Sequence, residues 1–235
     1  PTMTVIKGYQ VPNTMYGTSA VRCVYLTNNA VLIGFTLTNG ATINQNTLEL
    51  TNNGAGAWCE IGGIISNCIV TKNCGSTGGG IFGGSVWNSL ISSNTAHFGG
   101  GAANASLFNC MVISNTCPSA GSDGGGIYQG MISNCIVTGN NAYQGASAVS
   151  QSIADNSVIS SNSGGAFQSV LMGCIITANW AIGANGCTNY NCIIGGNLDM
   201  GVFRGVAYNC LVISNTASYC GGAYCRIRGH LPSPP

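Results

Sequence analysis

Charge is the scarcest property of this chain. Only 11 of its 235 residues are Asp, Glu, Lys or Arg, and the formal net charge is +1, which excludes the dense cationic surface that nucleic acid or anionic lipid recognition requires. Long apolar runs are missing as well. Gly, Asn, Ser and Thr break every apolar stretch within a few residues, so no segment reaches the ~18 or more residues of a membrane-spanning helix. No segment holds a 3.6-residue apolar period over helical length, which excludes an α-helical architecture. Proline falls at positions 1, 12, 118, 232, 234 and 235, so only Pro118 interrupts the middle of the chain. The two histidines, His97 and His230, have no alignable carboxylate and serine beside them, which excludes a hydrolytic triad. The chain opens Pro1-Thr2 with no initiator Met or leader, as expected of a mature or excised piece. A near-neutral surface rich in Asn, Ser, Thr and Gly fits an extracellular or cell-surface setting.

What is abundant is repetition. Asparagines six residues apart recur as Asn67/Asn73, Asn88/Asn94, Asn109/Asn115, Asn134/Asn140, Asn156/Asn162, Asn191/Asn197 and Asn209/Asn215, with Gly173/Asn179 as a degenerate copy. Successive second asparagines are 21, 21, 25, 22, 17, 18 and 18 residues apart, while the internal step never changes. A fixed core with a variable remainder marks a solenoid whose variable part is a loop. Each unit reads Gly-rich corner, aliphatic-aromatic pair, then apolar-x-Asn-Cys-apolar-apolar, as in Gly124-Gly125-Gly126-Ile127-Tyr128 and Ile132-Ser133-Asn134-Cys135-Ile136-Val137. Both pieces are short, β-branched or aromatic, and bounded by Gly or Asn, and therefore read as β-strands. Asparagine tolerates the left-handed backbone of a tight corner, and stacked amides donate and accept along a column, so both sets of asparagines are expected to form a structural ladder.

The expected fold is all-β: a single right-handed parallel β-helix of about nine to ten coils over residues 21–225, with an insertion at about 41–55. Residues 1–20 read as a lead-in and 226–235 as a disordered tail. The Gly-Gly-Ile and Asn-Cys-x-Val repeats resemble the right-handed parallel β-helix repeats of bacterial surface proteins, of the polymorphic outer-membrane and autotransporter-passenger types, on the pectate-lyase-like superfold. The resemblance covers roughly residues 20–224. It implies a location outside the cell or on a bacterial surface, and partners such as a polysaccharide or cell-surface glycan. The same superfold carries adhesins, lyases and hydrolases, so the resemblance is to a fold more than to an activity.

Two columns carry the remaining signal. Cys68, Cys110, Cys135, Cys174, Cys192 and Cys210 follow the first asparagine, with Ser89 and Ser157 in the same place. They share strand parity with Val70, Ile91, Val112 and Val137 and are expected to face inward as small apolar packing. Cys23, Cys59, Cys74, Cys117, Cys187, Cys220 and Cys225 fall at loops or coil ends, where a Cys220–Cys225 disulfide is the first to consider. An evenly spaced line of cysteines cannot close a tetrahedral shell, so no metal is expected. Trp58, Phe82, Tyr128, Phe167, Phe203 and Tyr224 form the second column, adjacent to Ala57, Ile81, Ile127, Ala166, Val202 and Ala223. Parity lets one column point inward; if the aliphatic one does, the aromatics form an outer stripe able to stack on sugars, and otherwise they form an internal or loop-covered stack.

The carboxylates weigh against catalysis. Glu49, Glu60, Asp123, Asp155 and Asp199 occupy five different repeat positions, whereas glycoside hydrolysis needs two held close together. Asp199 and Arg204 are the weak candidates for a lyase site, for which calcium would be the cofactor; otherwise no cofactor is expected. Two classes therefore compete: a non-enzymatic structural or adhesive β-helix that binds carbohydrate through its stripe, and a polysaccharide lyase or glycoside hydrolase acting on an acidic polysaccharide. An ice-binding face needs evenly spaced threonines, and Thr36, Thr38, Thr71, Thr138 and Thr177 are irregular in sequence. Unpaired strand edges at the ends of such a helix imply end-to-end self-association or membership of a longer polypeptide.

Overall fold

The computed structural model describes residues 4–14, 17–43, 49–218 and 221–227. Each regular turn carries three short strands on three sides, as in Ile81–Phe82, Ser85–Trp87 and Leu90–Ser92, and crosses a fourth side through a loop. Every strand pairs in parallel with its counterpart one turn away, so the protein is a parallel β-solenoid. Third-side strands stack into one ten-stranded sheet from Val5–Lys7 to Leu211–Ile213. Seven turns from Ile81 to Ile213 are regular. Two earlier ones, which begin at Val24–Leu26 and Ala57–Cys59, are looser because they also hold the insertion and the turn at Glu60–Gly63.

One residue per corner turns the chain, and it does so in the left-handed region. Asn88, Asn109, Asn134, Asn156, Asn191 and Asn209 have φ between 44° and 53°, Asn67 has φ 49°, and Gly173 takes the same place at 59°. Only short polar side chains and Gly adopt this conformation cheaply. These first asparagines are exposed, and the side-chain link between them is Asn209 Nδ2 to Asn191 Oδ1 at 2.7 Å. They are corner residues, and the expected ladder belongs to the second set. A left-handed residue throws its side chain out and turns the next one in.

Asn73, Asn94, Asn115, Asn140, Asn162, Asn179, Asn197 and Asn215 stand one residue beyond the next corner and form a continuous inner amide column. Asn94 shows the full pattern. Its Nδ2 donates to Asn115 Oδ1 at 3.0 Å and to the Val70 carbonyl at 2.9 Å, while its Oδ1 accepts from both the backbone N–H and Nδ2 of Asn73 at 3.0 Å. The amide thus satisfies corner groups that no strand can reach, which is the condition for burying them.

The cysteine column does similar work and is not merely apolar filling. The Cys68 and Cys135 N–H groups donate to Ser89 and Ser157 Oγ at 3.0 Å, and the Cys110 and Cys192 N–H groups to Cys135 and Cys210 Sγ at 3.4 Å. Each side chain in turn donates to the carbonyl two residues back, Ser89 to Trp87 at 2.7 Å and Cys135 to Ser133 at 3.3 Å. Cysteine and serine interchange in this column because both have one donor and one acceptor in a small volume. Cys59, Cys74, Cys117 and Cys187, expected at loops or coil ends, are buried in the solenoid, and the described cysteines are thiols. Burial pushes Cys59 and Cys117 up to about 12, so both stay protonated at neutral pH. Cys220 and the side chain of Cys225 lie outside the described residues.

Alternation places Ile81, Ile91, Val86, Leu107, Ile127 and Ile132 fully inside, each worth ~1.5–3 kcal/mol of burial. Asn189 breaks the inner second-side column between Leu171 and Ala207. It is fully buried, its Nδ2 donates to the Val206 carbonyl at 3.0 Å, and its Oδ1 has no partner among the described residues. Asn189→Leu, which matches Leu171 one turn earlier, is expected to raise stability by ~1 kcal/mol because an orphaned buried acceptor costs about that or more. Denaturant melts check this, and a loss instead of a gain would show the amide to be satisfied.

Both ends extend the array beyond its expected limits. Val5–Lys7 pairs with Thr36–Thr38, so the sheet begins inside the lead-in. Ala223–Ile227 pairs with Val202–Tyr208, with Arg226 opposite Val206 and Ile227 opposite Ala207. The seven-residue strand offers a backbone edge that recruits these residues whatever their side chains, so Arg226 and Ile227 are strand and not disordered tail. Residues 228–235 lie outside the described part. The insertion includes the short helix Glu49–Asn52, and Arg22 ties its exit down by donating to the Gly54 and Asn53 carbonyls at 2.8 and 2.7 Å.

Candidate functional site

A groove opens on the fourth side where the turns shorten. The 25- and 22-residue steps before Asn140 and Asn162 place extra loop there, around 117–123 and 141–147, whereas the following 17- and 18-residue steps cross it with Gly164-Gly165 and Ala181-Ile182. The result is a cavity of ≈ 520 Å³ with Gly164, Gly165, Ala181 and Ile182 beneath and Asp123, Gln144, Ser147, Phe167, Asn185 and Asp199 around it. A second depression of ≈ 580 Å³ adjoins it, shares Gln144 and Ala181, and is lined by Trp180, which is 74% exposed.

The groove runs along the solenoid axis. Its rows are linked from Gly125 N–H to Ser147 O, Ala148 N–H to Gly164 O, Gly165 N–H to Ile182 O and Gly183 N–H to Met200 O, at 2.9–3.0 Å. Asp123 lies at one end and Asp199 at the other, four inter-strand steps apart, or ~19 Å. Asp123 accepts from Ser147 Oγ at 2.8 Å, from the Gly124 N–H at 2.8 Å and from Ser150 Oγ. Asp199 accepts the Met200 N–H at 2.8 Å through one oxygen, leaving the second without a protein partner among the described residues. Even with Asp123 leaning one row inward, the carboxylates are ~14 Å apart by strand spacing, beyond the ~5–9.5 Å of a glycosidase pair.

The aromatic column faces outward, with Ala57, Ile81, Ile127, Ala166 and Val202 buried beside it. It is not continuous. Strand register alternates Phe82, Ala103, Tyr128, Ser150, Phe167, Asn185 and Phe203, so most rings stand two turns apart. Several rings are already engaged. Trp58 is stacked between Tyr25 at 4.9 Å and Phe82 at 6.3 Å, Tyr128 meets Phe98 at 5.0 Å, and the Arg204 guanidinium lies 4.8 Å from the centre of Phe203. Phe167, between the small Ser150 and Asn185, is the stripe residue presented in the groove. Tyr224 is opposite Phe203 in register, but its side chain lies outside the described residues.

Asp199 and Arg204 do not come together: Asp199 ends the groove, while Arg204 is a left-handed corner residue, φ 51°, between the first and second sides. Glu60, seven turns away at the other end of the solenoid, is a structural carboxylate. It accepts from Tyr25 Oη at 2.8 Å and the Asn28 N–H at 2.6 Å, and that bond raises the tyrosine pKa.

Sequence reading missed three features. Trp180 stands directly after a ladder asparagine, where Thr95, Thr116, Asn141, Ser163 and Thr216 stand in five other turns and Cys74 and Leu198 in two more, so an aromatic there was a usable signal. A second outer aromatic column contains the stacked pairs Trp87–Phe108 at 4.1 Å and Tyr190–Tyr208 at 4.9 Å; its place one residue before each corner asparagine was also legible. The approach of Asp123 to the Phe167 groove had no local signal.

No family model and no curated protein matches the chain. Among solved structures, two trypsin-treated variants of QnrB1, a plasmid-mediated fluoroquinolone resistance protein, are similar over 90% and 88% of this chain and 92% of each of theirs. Identity is 9% and the TM-scores are 0.26 and 0.25. An overlap at that level transfers no function.

Proposed function

We propose that this protein is a non-catalytic β-helical scaffold that binds a polysaccharide along its groove. The observation that carries this reading is a single open ring, Phe167, set among the polar groups of Asn185, Gln144, Ser147, Asp123 and Asp199. Sugar rings stack their C–H faces on aromatic faces and spend their hydroxyls on carboxylates and amides. The groove spans five rows, ~19 Å, long enough for a short stretch of linear glycan. Its lining includes two carboxylates and no cation, so a neutral chain suits it better than the acidic polysaccharide of the enzymatic alternative. An extracellular or bacterial-surface setting accords with the low charge and with the resemblance of the repeats to surface proteins.

Titration calorimetry with neutral and acidic oligosaccharides, with and without calcium, tests this. Neutral oligomers are expected to bind without shortening, and Phe167→Ala to weaken them about tenfold, the ~1.4 kcal/mol of one stacked ring. Gln129→Ala, at a corner outside the groove, is expected to change nothing. Shortened products would overturn the non-catalytic reading, and no binding by any oligomer would overturn the groove as a glycan site.

A further inference from the structure

The third side carries a feature that glycan binding does not use. On the outward face of the ten-stranded sheet, Ile69, Leu90, Met111, Ile136, Val158, Ile175, Ile193 and Leu211 stand in one register column without a break. Met111, Ile136, Ile175, Ile193 and Leu211 are 40% to 50% exposed. No charged residue occurs in any of these strands. Scattered apolar residues on a surface need no explanation, whereas a contiguous apolar patch of this length marks an interaction surface.

We infer that this face is the interface of a lateral homodimer, in which the third-side sheets of two copies pack face to face about a twofold axis. Two observations point to a second copy. First, the column has a period of ~4.8 Å over seven steps, ~34 Å in all. A second solenoid has that period along its whole length, and a twofold axis lets the same column interdigitate with itself. Second, the charge-free face meets no like-charge repulsion from its own copy, and net charge +1 adds almost none at longer range. A lipid or polyanion surface would instead call for lysine or arginine flanking the column, and the turns from Leu90 to Ile213 have none at their third side. Glycan would still have access, because the groove lies on the fourth side.

Sedimentation velocity of the full chain over a concentration series tests the inference, paired with the double substitution Ile136→Lys and Ile175→Lys. Both sites are exposed, so the far-UV spectrum and melting temperature are expected to stay as in the parent, while the dimer weakens by at least about tenfold, the effect of placing like charges across an interface. The same substitution at Gln129, on another side, is expected to leave the dimer intact. A parent that sediments as a monomer at tens of micromolar would overturn the inference, as would a folded double variant that dimerises like the parent. Flotation of a monomeric parent with neutral phosphatidylcholine vesicles would assign the face to a lipid surface instead, and would equally overturn it.

Discussion

Asn115→Ala is expected to cost ~3–5 kcal/mol, at or above the top of the ~0.5–3 kcal/mol that single substitutions ordinarily remove. Asn115 Oδ1 accepts from both the N–H and Nδ2 of Asn94 at 3.0 Å, and its Nδ2 donates to Asn140 Oδ1 at 3.0 Å and to the Ile91 carbonyl at 2.9 Å. Alanine leaves two buried donors on Asn94 without an acceptor, and each orphaned donor costs ~1–3 kcal/mol. The site is fully buried in the middle of the column, so water reaches neither. Asn134→Ala is expected to cost only ~1–2 kcal/mol. Asn134 is exposed, and alanine there loses mainly the tolerance of φ 53°. Urea melts of the two variants separate the roles: equal losses would mean that the amide column and the corner contribute alike.

Gly165→Ala is expected to cost ~3 kcal/mol or more, and it acts through the floor of the groove. A Cβ at Gly165 would lie 2.0 Å from the Gly183 carbonyl oxygen, far inside contact distance. The row spacing cannot relax to admit it, because Gly165 N–H to Ile182 O at 3.0 Å and Ala166 N–H to Gly183 O at 2.8 Å hold the adjacent turns together. Overpacking against side chains costs ~1–3 kcal/mol, and here the obstacle is backbone. Gly222→Ala is the matched control, since a Cβ there meets nothing within 4 Å, and it is expected to change the melting temperature little. A soluble, fully stable Gly165→Ala protein would show that the turns part more easily than their hydrogen bonds indicate.

The threonines show how far sequence spacing misleads in a solenoid. Thr38, Thr71, Thr138 and Thr177 are unevenly spaced along the chain, yet register sets them in one third-side column with Ser92, Ile113 and Ser160. Variation in turn length is taken up by fourth-side loops, so the strands never lose alignment. The aromatic stripe errs in the opposite direction. Its members align as expected, but Tyr25, Phe98 and Arg204 cover ring faces that the repeat alone leaves open. Cysteine parity was legible and its chemistry was not, because a thiol that caps the next turn's N–H looks in sequence like any small apolar residue.

The parallel β-solenoid, its inward columns and its corners were determined by the sequence alone. One residue in two faces inward, a single left-handed residue turns the chain, and every turn repeats the hydrogen bonds of the last, so local pattern and global form carry the same information. Only the tertiary structure decided that Asp123, Phe167 and Asp199 share one groove, that Trp180 borders it, and that Arg204 does not join Asp199. Those outcomes depend on how loops of unequal length fill space beside neighbouring turns, a non-local packing problem with no period to read.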